Sequence, residues 1–97
     1  YMEYKIIITP TALGCLKSIR DANPIIFARI KKAIDRLGHD PQKIGSKLTD
    51  PLSRYWRVRV GDYRIIYIIQ NDIVTVTILY AGHRKEVYKK ISRFLKR

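Results

Sequence analysis

The stretch Tyr55-Trp56-Arg57-Val58-Arg59-Val60-Gly61-Asp62-Tyr63-Arg64-Ile65-Ile66-Tyr67-Ile68-Ile69-Gln70-Asn71-Asp72-Ile73-Val74-Thr75-Val76-Thr77-Ile78-Leu79-Tyr80 decides the fold. It divides into three strand-like runs. Tyr55 to Val60 alternates, Tyr63 to Gln70 is almost wholly apolar, and Ile73 to Tyr80 is rich in β-branched residues. Gly61-Asp62 and Asn71-Asp72 each stand where a two-residue hairpin turn belongs. Three consecutive strands with tight turns predict an antiparallel meander.

The turns also set the register. With Gly61-Asp62 as the loop, Val60 pairs with Tyr63, Arg59 with Arg64 and Arg57 with Ile66. With Asn71-Asp72 as the loop, Gln70 pairs with Ile73 and Arg64 lies opposite Leu79. Alternation then assigns two faces. One collects Trp56, Val58, Val60, Ile65, Tyr67, Ile69, Val74, Val76, Ile78 and Tyr80, and is the expected core face. The other collects Tyr55, Arg57, Arg59, Arg64, Ile66, Ile68, Thr75, Thr77 and Leu79. Like charges directly opposite each other are destabilising, whereas a favourable cross-strand pair contributes roughly 0.2–1 kcal/mol. No carboxylate shares that face. The arginines are either a solvated basic face or an anion site. Arginine forks bind phosphate bidentately and stay charged at any working pH. A register slip of one residue would move all three to the other face.

Outward from the meander, Tyr4 to Ile8 reads as a short strand ended by Thr9-Pro10, an N-cap followed by a helix-starting proline. Ala12, Cys15, Leu16 and Ile19 recur on one helical face. Asn23-Pro24 repeats the start signal, and Ile26, Phe27, Ile30, Ile34 and Leu37 mark a longer helix, with Arg29, Lys32 and Arg36 off its apolar stripe. Gly38 is expected to close it as a left-handed cap. Residues 38–53 read as a loop, and 86–96 as a last helix carrying Val87, Ile91, Phe94 and Leu95. The expected fold is α+β, a single small domain over residues 2–97 in the order β-α-α-β-β-β-α. Its N-terminal helical hairpin packs on one face of the sheet. Tyr1 stands ahead of Met2, which is the expected natural start.

Composition narrows the partners. The 97 residues hold 20 Lys plus Arg against 8 Asp plus Glu, a formal net charge of +12. Nine basic and five acidic residues lie in positions 1–50, net +4, and eleven and three in 51–97, net +8. Such a surface attracts phosphate backbones, anionic lipid or an acidic protein. Cys15 stands alone, so no internal disulfide forms, in keeping with a reducing cytoplasm. One cysteine with the distant His39 and His83 makes no metal site. No cofactor and no membrane association are expected, since the longest apolar run, Ile65 to Ile69, is too short to span a bilayer.

After the last strand come Gly82-His83-Arg84-Lys85-Glu86-Val87-Tyr88. Gly82 is expected to turn the chain off the sheet, leaving His83 and Arg84 at its edge. Tyr88 lies one helical turn past Arg84. His83 is either a structural hydrogen bonder or an acid–base group, and Tyr88 either packs in the core or takes part in chemistry.

At these residues the sequence resembles the RelE/ParE toxin superfamily of prokaryotic toxin–antitoxin systems. The likeness lies in Tyr55 to Tyr67 and in His83 to Tyr88, with Thr9-Pro10-x-Ala12 and Lys47-Leu48 upstream. It implies an endoribonuclease that cleaves mRNA in the ribosomal A site. By that resemblance the catalytic set comprises Arg57, Arg59, Arg64, Arg84 and Tyr88, with His83 beside them. In the best-known RelE toxin the second-strand positions are lysines. Arg57 and Arg59 keep the charge, but a guanidinium is a poor proton acceptor. His83 and Tyr88 both remain open as proton carriers.

The chemistry required is attack of an RNA 2′-hydroxyl on the adjacent phosphate with loss of the 5′-oxygen. Arg57, Arg64 and Arg84 suit the task of holding that phosphate and its added charge. Tyr55, Lys47, Lys85 and Lys89 are the expected further RNA contacts, Tyr55 by stacking a base. The expected partners are mRNA on the ribosome, with rRNA contacts, and an acidic antitoxin that forms a tight complex. The alternatives are a ParE-like DNA gyrase inhibitor and a non-catalytic RNA-binding module. The apolar residues Ile66, Ile68 and Leu79 on the arginine face need cover, in part from Ile91, Phe94 or Leu95 and in part from the antitoxin.

Overall fold

The computed structural model describes residues 3–50 and 52–95, with the side chains of Phe94 and Leu95 outside that description. Pro51, Lys96 and Arg97 and the Tyr1-Met2 start likewise lie outside it. The elements in chain order are β1 (Lys5–Ile8), α1 (Pro10–Ala22), α2 (Pro24–Leu37), α3 (Pro41–Ile44), β2 (Ser46–Lys47), β3 (Trp56–Val60), β4 (Tyr63–Gln70), β5 (Thr75–His83) and α4 (Arg84–Leu95). The α+β fold expected from sequence is present, with α3 and β2 as short additions inside the long loop.

The five strands form one mixed sheet in the order β1-β5-β4-β3-β2. β3, β4 and β5 make the antiparallel meander, and β1 pairs with β5 in parallel. A parallel neighbour needs a crossover, and the α1–α2 hairpin begins that connection. Both helices start as the sequence dictates. Thr9 Oγ1 accepts the Ala12 N–H at 3.2 Å, and Asn23 Oδ1 accepts the Ile26 N–H at 3.2 Å, each ahead of a proline in the first turn. Gly38 departs from expectation. At φ −66° it is right-handed, and its carbonyl accepts the Tyr4 N–H at 2.6 Å, tying the end of α2 to β1.

Two cores lie on the two faces of the sheet. Under the helical hairpin, Ala12, Leu16, Ile30, Ile34 and Leu37 pack on Val58, Val60, Ile65, Tyr67, Val76 and Ile78. Burial of each Leu, Ile or Val among them is worth about 1.5–3 kcal/mol. Tyr67 is fully buried and donates its hydroxyl to Pro41 O at 2.6 Å, so α3 caps this core. Burial raises the Tyr67 phenol well above its ordinary pKa of 10.0. On the opposite face Ile66, Val87, Ile91 and Leu48 form a second, smaller cluster. Ile91 therefore supplies part of the cover expected for Ile66, together with Val87.

The first hairpin has the expected register, with Val60 opposite Tyr63, Arg59 opposite Arg64 and Arg57 opposite Ile66. Gly61 sits at φ +60°, the left-handed value that the first position of such a turn requires. The second hairpin does not. Asn71–Ile73 forms a 3-10 turn and Val74 follows in left-handed conformation at φ 48°, so the loop has four residues instead of two. Gln70 pairs with Thr75. This slip of two leaves face alternation intact. Val74, however, leaves the core face.

A second correction follows from a bulge. Ile66 pairs with Tyr80 and Tyr67 with Ile78, so Leu79 is the extra residue. Beyond it the faces exchange: Tyr80 moves to the arginine face, and Arg64 lies opposite Gly82 instead of Leu79. Gly82 does not turn the chain off the sheet. The strand continues through His83, and Gly82 is required because a Cβ there would lie 2.8 Å from the Tyr80 ring.

Candidate active site

The exchange of faces places the sequence-derived residues in three groups. The first group is Arg57 and Tyr88. Val87 and Ile91, one turn apart, seat α4 on Ile66 and Leu48, and the neighbouring Tyr88 is thereby brought over β3. Arg57 Nη1 donates to Tyr88 Oη at 2.5 Å. Both residues are half-buried, and the pair stands at the rim of the smaller core.

The second group gathers at the β3–β4 turn. Arg64 Nη1 donates to the carbonyls of Gly61 at 3.0 Å and Tyr63 at 2.9 Å. The Arg84 N–H donates to Asp62 O at 2.8 Å, anchoring the start of α4 to the same turn, and Arg84 Nε lies 3.9 Å from Asp62 Oδ1. That ion pair is more than half exposed on both sides, at 55% and 69%, so it contributes at most about 1 kcal/mol and holds neither side chain firmly. Arg64 and Arg84 keep further N–H groups to offer an anion.

The third group lies apart from the first. His83 pairs across from Tyr63, whose side chain packs on the helical-hairpin core, and its ring meets Tyr63 edge-on at 5.8 Å. Its Nδ1 accepts the Lys85 N–H at 3.2 Å. His83 thus sits on the sheet face away from Arg57, the arrangement of a structural hydrogen bonder. Lys47 pairs across from Trp56, again away from Arg57, and is exposed. Arg59 is exposed at the outer edge of β3, while Lys85 and Lys89 are exposed along α4.

Tyr55 packs against the smaller core, and the Arg54 guanidinium lies 5.7 Å from its ring centre. Tyr55, Ile68, Leu79, Arg54 and Thr11 border a hollow of about 300 Å³. Arg54 had no signal in the sequence; only the structure shows its guanidinium beside the Tyr55 ring. Burial, aided by Cys15 and Glu86, raises the Tyr80 phenol above its ordinary pKa. Among the described residues no three His, Cys, Asp or Glu side chains are placed to hold a metal ion, and no helix is long and apolar enough to cross a membrane.

The fold, a helical hairpin behind a five-stranded mixed sheet, has counterparts. The family model described as "ParE toxin of type II toxin-antitoxin system, parDE" matches residues 6–88, from β1 into α4. The chain belongs to the RelE/ParE toxin family. The toxin is 30% identical over 89 residues to Toxin RelG of Mycobacterium tuberculosis, covering 92% of this chain and all of that one. Its fold superposes on the RelBE2 toxin–antitoxin complex of M. tuberculosis with a TM-score of 0.76 at 29% identity, over 84% of this chain and 99% of the other. It also superposes on the archaeal RelE–RelB complex of Pyrococcus horikoshii, with a TM-score of 0.64 at 28% identity, over 86% and 97% of the two chains. The toxin is therefore a type II toxin–antitoxin toxin by family, and the arginine face is its most distinctive chemical feature.

Proposed function

We propose that the toxin is a ribosome-dependent endoribonuclease that cuts mRNA in the A site. The observation that carries this reading is the contact between Arg57 Nη1 and Tyr88 Oη, a fixed cation beside a group able to move a proton. In the reaction the RNA 2′-oxygen bonds to the adjacent phosphorus as its proton leaves. The bond to the 5′-oxygen breaks, and that oxygen gains a proton. The products are a 2′,3′-cyclic phosphate and a 5′-hydroxyl end. Arg57, Arg64 and Arg84 hold the phosphate and stabilise the charge that grows on it. Arg59 adds to the local positive field.

Tyr88 is the proton carrier in this reading, because His83 faces the other side of the sheet and arginine does not release its proton at working pH. Tyr55 stacks a base in the hollow beside Ile68. Lys47, Lys85 and Lys89 meet phosphates away from the reacting centre, in mRNA or rRNA. The site of action is the prokaryotic cytoplasm, where the ribosome is.

An acidic antitoxin neutralises the toxin. Two structural relatives are toxins in complex with antitoxins. The α1–α2 hairpin here has an apolar groove of about 260 Å³ lined by Leu13, Leu16, Phe27 and Ile34 and edged by Lys17 and Lys31. An amphipathic helix with acidic flanks complements both features.

The test is translation of a defined message with purified toxin, followed by mapping of the cut ends. Clean cuts inside A-site codons by the native toxin, lost in folded Arg64→Ala and Arg84→Ala variants, are the expected result. Unchanged cutting by those variants would overturn the reading. The second reading is inhibition of DNA gyrase, favoured by the ParE description of the matching family. A supercoiling assay run beside the translation assay separates the two.

A further inference from the structure

Arg29, Lys32 and Arg36 recur at helical spacing along one side of α2, and all three are exposed. With Arg59 they border a hollow of about 380 Å³ whose floor includes Ile44 and Val58. A Cβ placed on Gly61 would lie 3.7 Å from Arg29 Nη1, so the Arg29 guanidinium stands beside the β3–β4 turn. Among the described residues the ion pairs are Arg20–Asp21, Lys43–Asp40 and Arg84–Asp62, so none of these four cations is neutralised.

A second hollow, of about 320 Å³, adjoins the first and shares Ile44, Val58 and Arg59 with it. Arg57 lines its other end. The two make one continuous concave strip along β3. The strip exists because β2 covers only Trp56 and Arg57, and no described strand lies beyond Val58 to Val60. Val60 and Tyr63 flank a two-residue turn, so Val58 and Val60 direct their backbone groups to β4 and Arg59 directs its own outward. Arg59 therefore presents both a guanidinium and a free backbone N–H at this edge.

We infer that the strip is an RNA track: a strand held at Arg57 passes over the open edge of β3 and sets its next phosphates on a second site formed by Arg59, Arg36, Lys32 and Arg29. This rests on the reading of the Arg57–Tyr88 face as an RNA site. Uncompensated cations on two rigid elements weaken the free protein by mutual repulsion and strengthen a complex with a polyanion. An open strand edge admits either a nucleic-acid backbone or an acidic peptide strand. Successive arginine and lysine side chains around a wide hollow match phosphates, whereas a peptide strand needs a narrow edge with alternate side-chain pockets. Arg57 also lines the second hollow, so the strip borders the residue that holds the message in that reading.

The experiment titrates the intact toxin into a fluorescein-labelled 12-nucleotide RNA whose 2′-hydroxyls are methylated, so that no cleavage occurs. Anisotropy is followed over a range of salt. Each phosphate neutralised on single-stranded RNA contributes about 0.7 to the slope of log K against log salt. The triple variant Arg29→Ala, Lys32→Ala and Arg36→Ala is expected to bind at least tenfold more weakly at low salt, with a slope shallower by about 2. Its fold is secure because alanine favours exposed helix positions, and a thermal melt checks it. Equal affinity and slope for the triple variant and the native toxin would overturn the track. So would failure of the native toxin to bind the RNA, or α2-dependent binding of a 12-residue polyglutamate peptide in its place. Cleavage assays on Arg57→Ala and Tyr88→Phe keep the two readings separable. If those variants still cut message while the α2 variant loses RNA slope, the catalytic assignment fails and the second phosphate site stands. If they stop cutting while the α2 variant binds normally, the track alone fails.

Discussion

Arg57 on β3 donates a hydrogen bond to Tyr88 on α4 across 31 residues of sequence. The contact exists because Val87 and Ile91 press α4 onto Ile66. A change in the smaller core thus reaches the Arg57–Tyr88 pair through the position of one helix.

The first prediction concerns that pair. Tyr88→Phe keeps the ring and its packing and removes the hydroxyl. It is expected to lower message cleavage by roughly 10²–10⁴-fold, the range for one general acid or base. Arg57→Ala should lower it comparably, and the double variant should fall well short of the product of the two. Single-turnover cleavage of ribosome-bound message, with a melt for each variant, measures this. Near-native rates in Tyr88→Phe would remove Tyr88 from the chemistry.

Gly82 is held to glycine by the Tyr80 ring, 2.8 Å from where a Cβ would stand. Gly82→Ala is expected to destabilise the toxin by about 1–3 kcal/mol through overpacking. Gly82 lies opposite Arg64, so the shift of Tyr80 should also reduce cleavage. Urea unfolding at constant m-value gives the stability change.

Val74 adopts left-handed backbone at φ 48° and ψ 52°, an unfavourable state for a β-branched residue. Val74→Asn tolerates that conformation and is expected to raise stability by about 1 kcal/mol. Activity should not change, since the turn stands at the far end of β4 from Arg64. A lower urea midpoint for the variant would contradict the strain.

Tyr67 makes stability depend on alkaline pH. Burial keeps its phenol protonated in the folded state above the ordinary value of 10.0. Below pH 10 folded and unfolded chains hold the same proton. Above it the unfolded chain releases the proton and the folded one keeps it, so stability falls with rising pH, by up to about 1.4 kcal/mol per pH unit. Tyr67→Phe loses the bond to Pro41 O and should be about 1 kcal/mol less stable at pH 8. It should also show a shallower alkaline decline, with Tyr80 contributing part of what remains. Equal alkaline slopes would place the effect elsewhere.

Local chemistry made much of the fold legible in the sequence. Thr9-Pro10 and Asn23-Pro24 marked both helix starts because capping and proline geometry act within one turn. Gly61-Asp62 gave the register of β3 on β4, and with it the shared face of Arg57, Arg59 and Arg64, because a two-residue turn leaves no freedom in pairing. The motif residues around Tyr55 and Tyr88 carried the family. Four things depended on the tertiary structure. The Asn71–Val74 turn widened, and the Leu79 bulge exchanged the faces of Tyr80 and His83, because Val74 and the bulge are held by pairing with β1 and β4. The Arg57–Tyr88 contact needed α4 to dock, which depends on burial of Ile66 and not on local spacing. The cationic strip along β3 required α2 to lie beside an edge that β2 leaves open. Sequence alone determined what the main helices and strands are and how much charge each carries. Packing between distant segments determined which charges face one another.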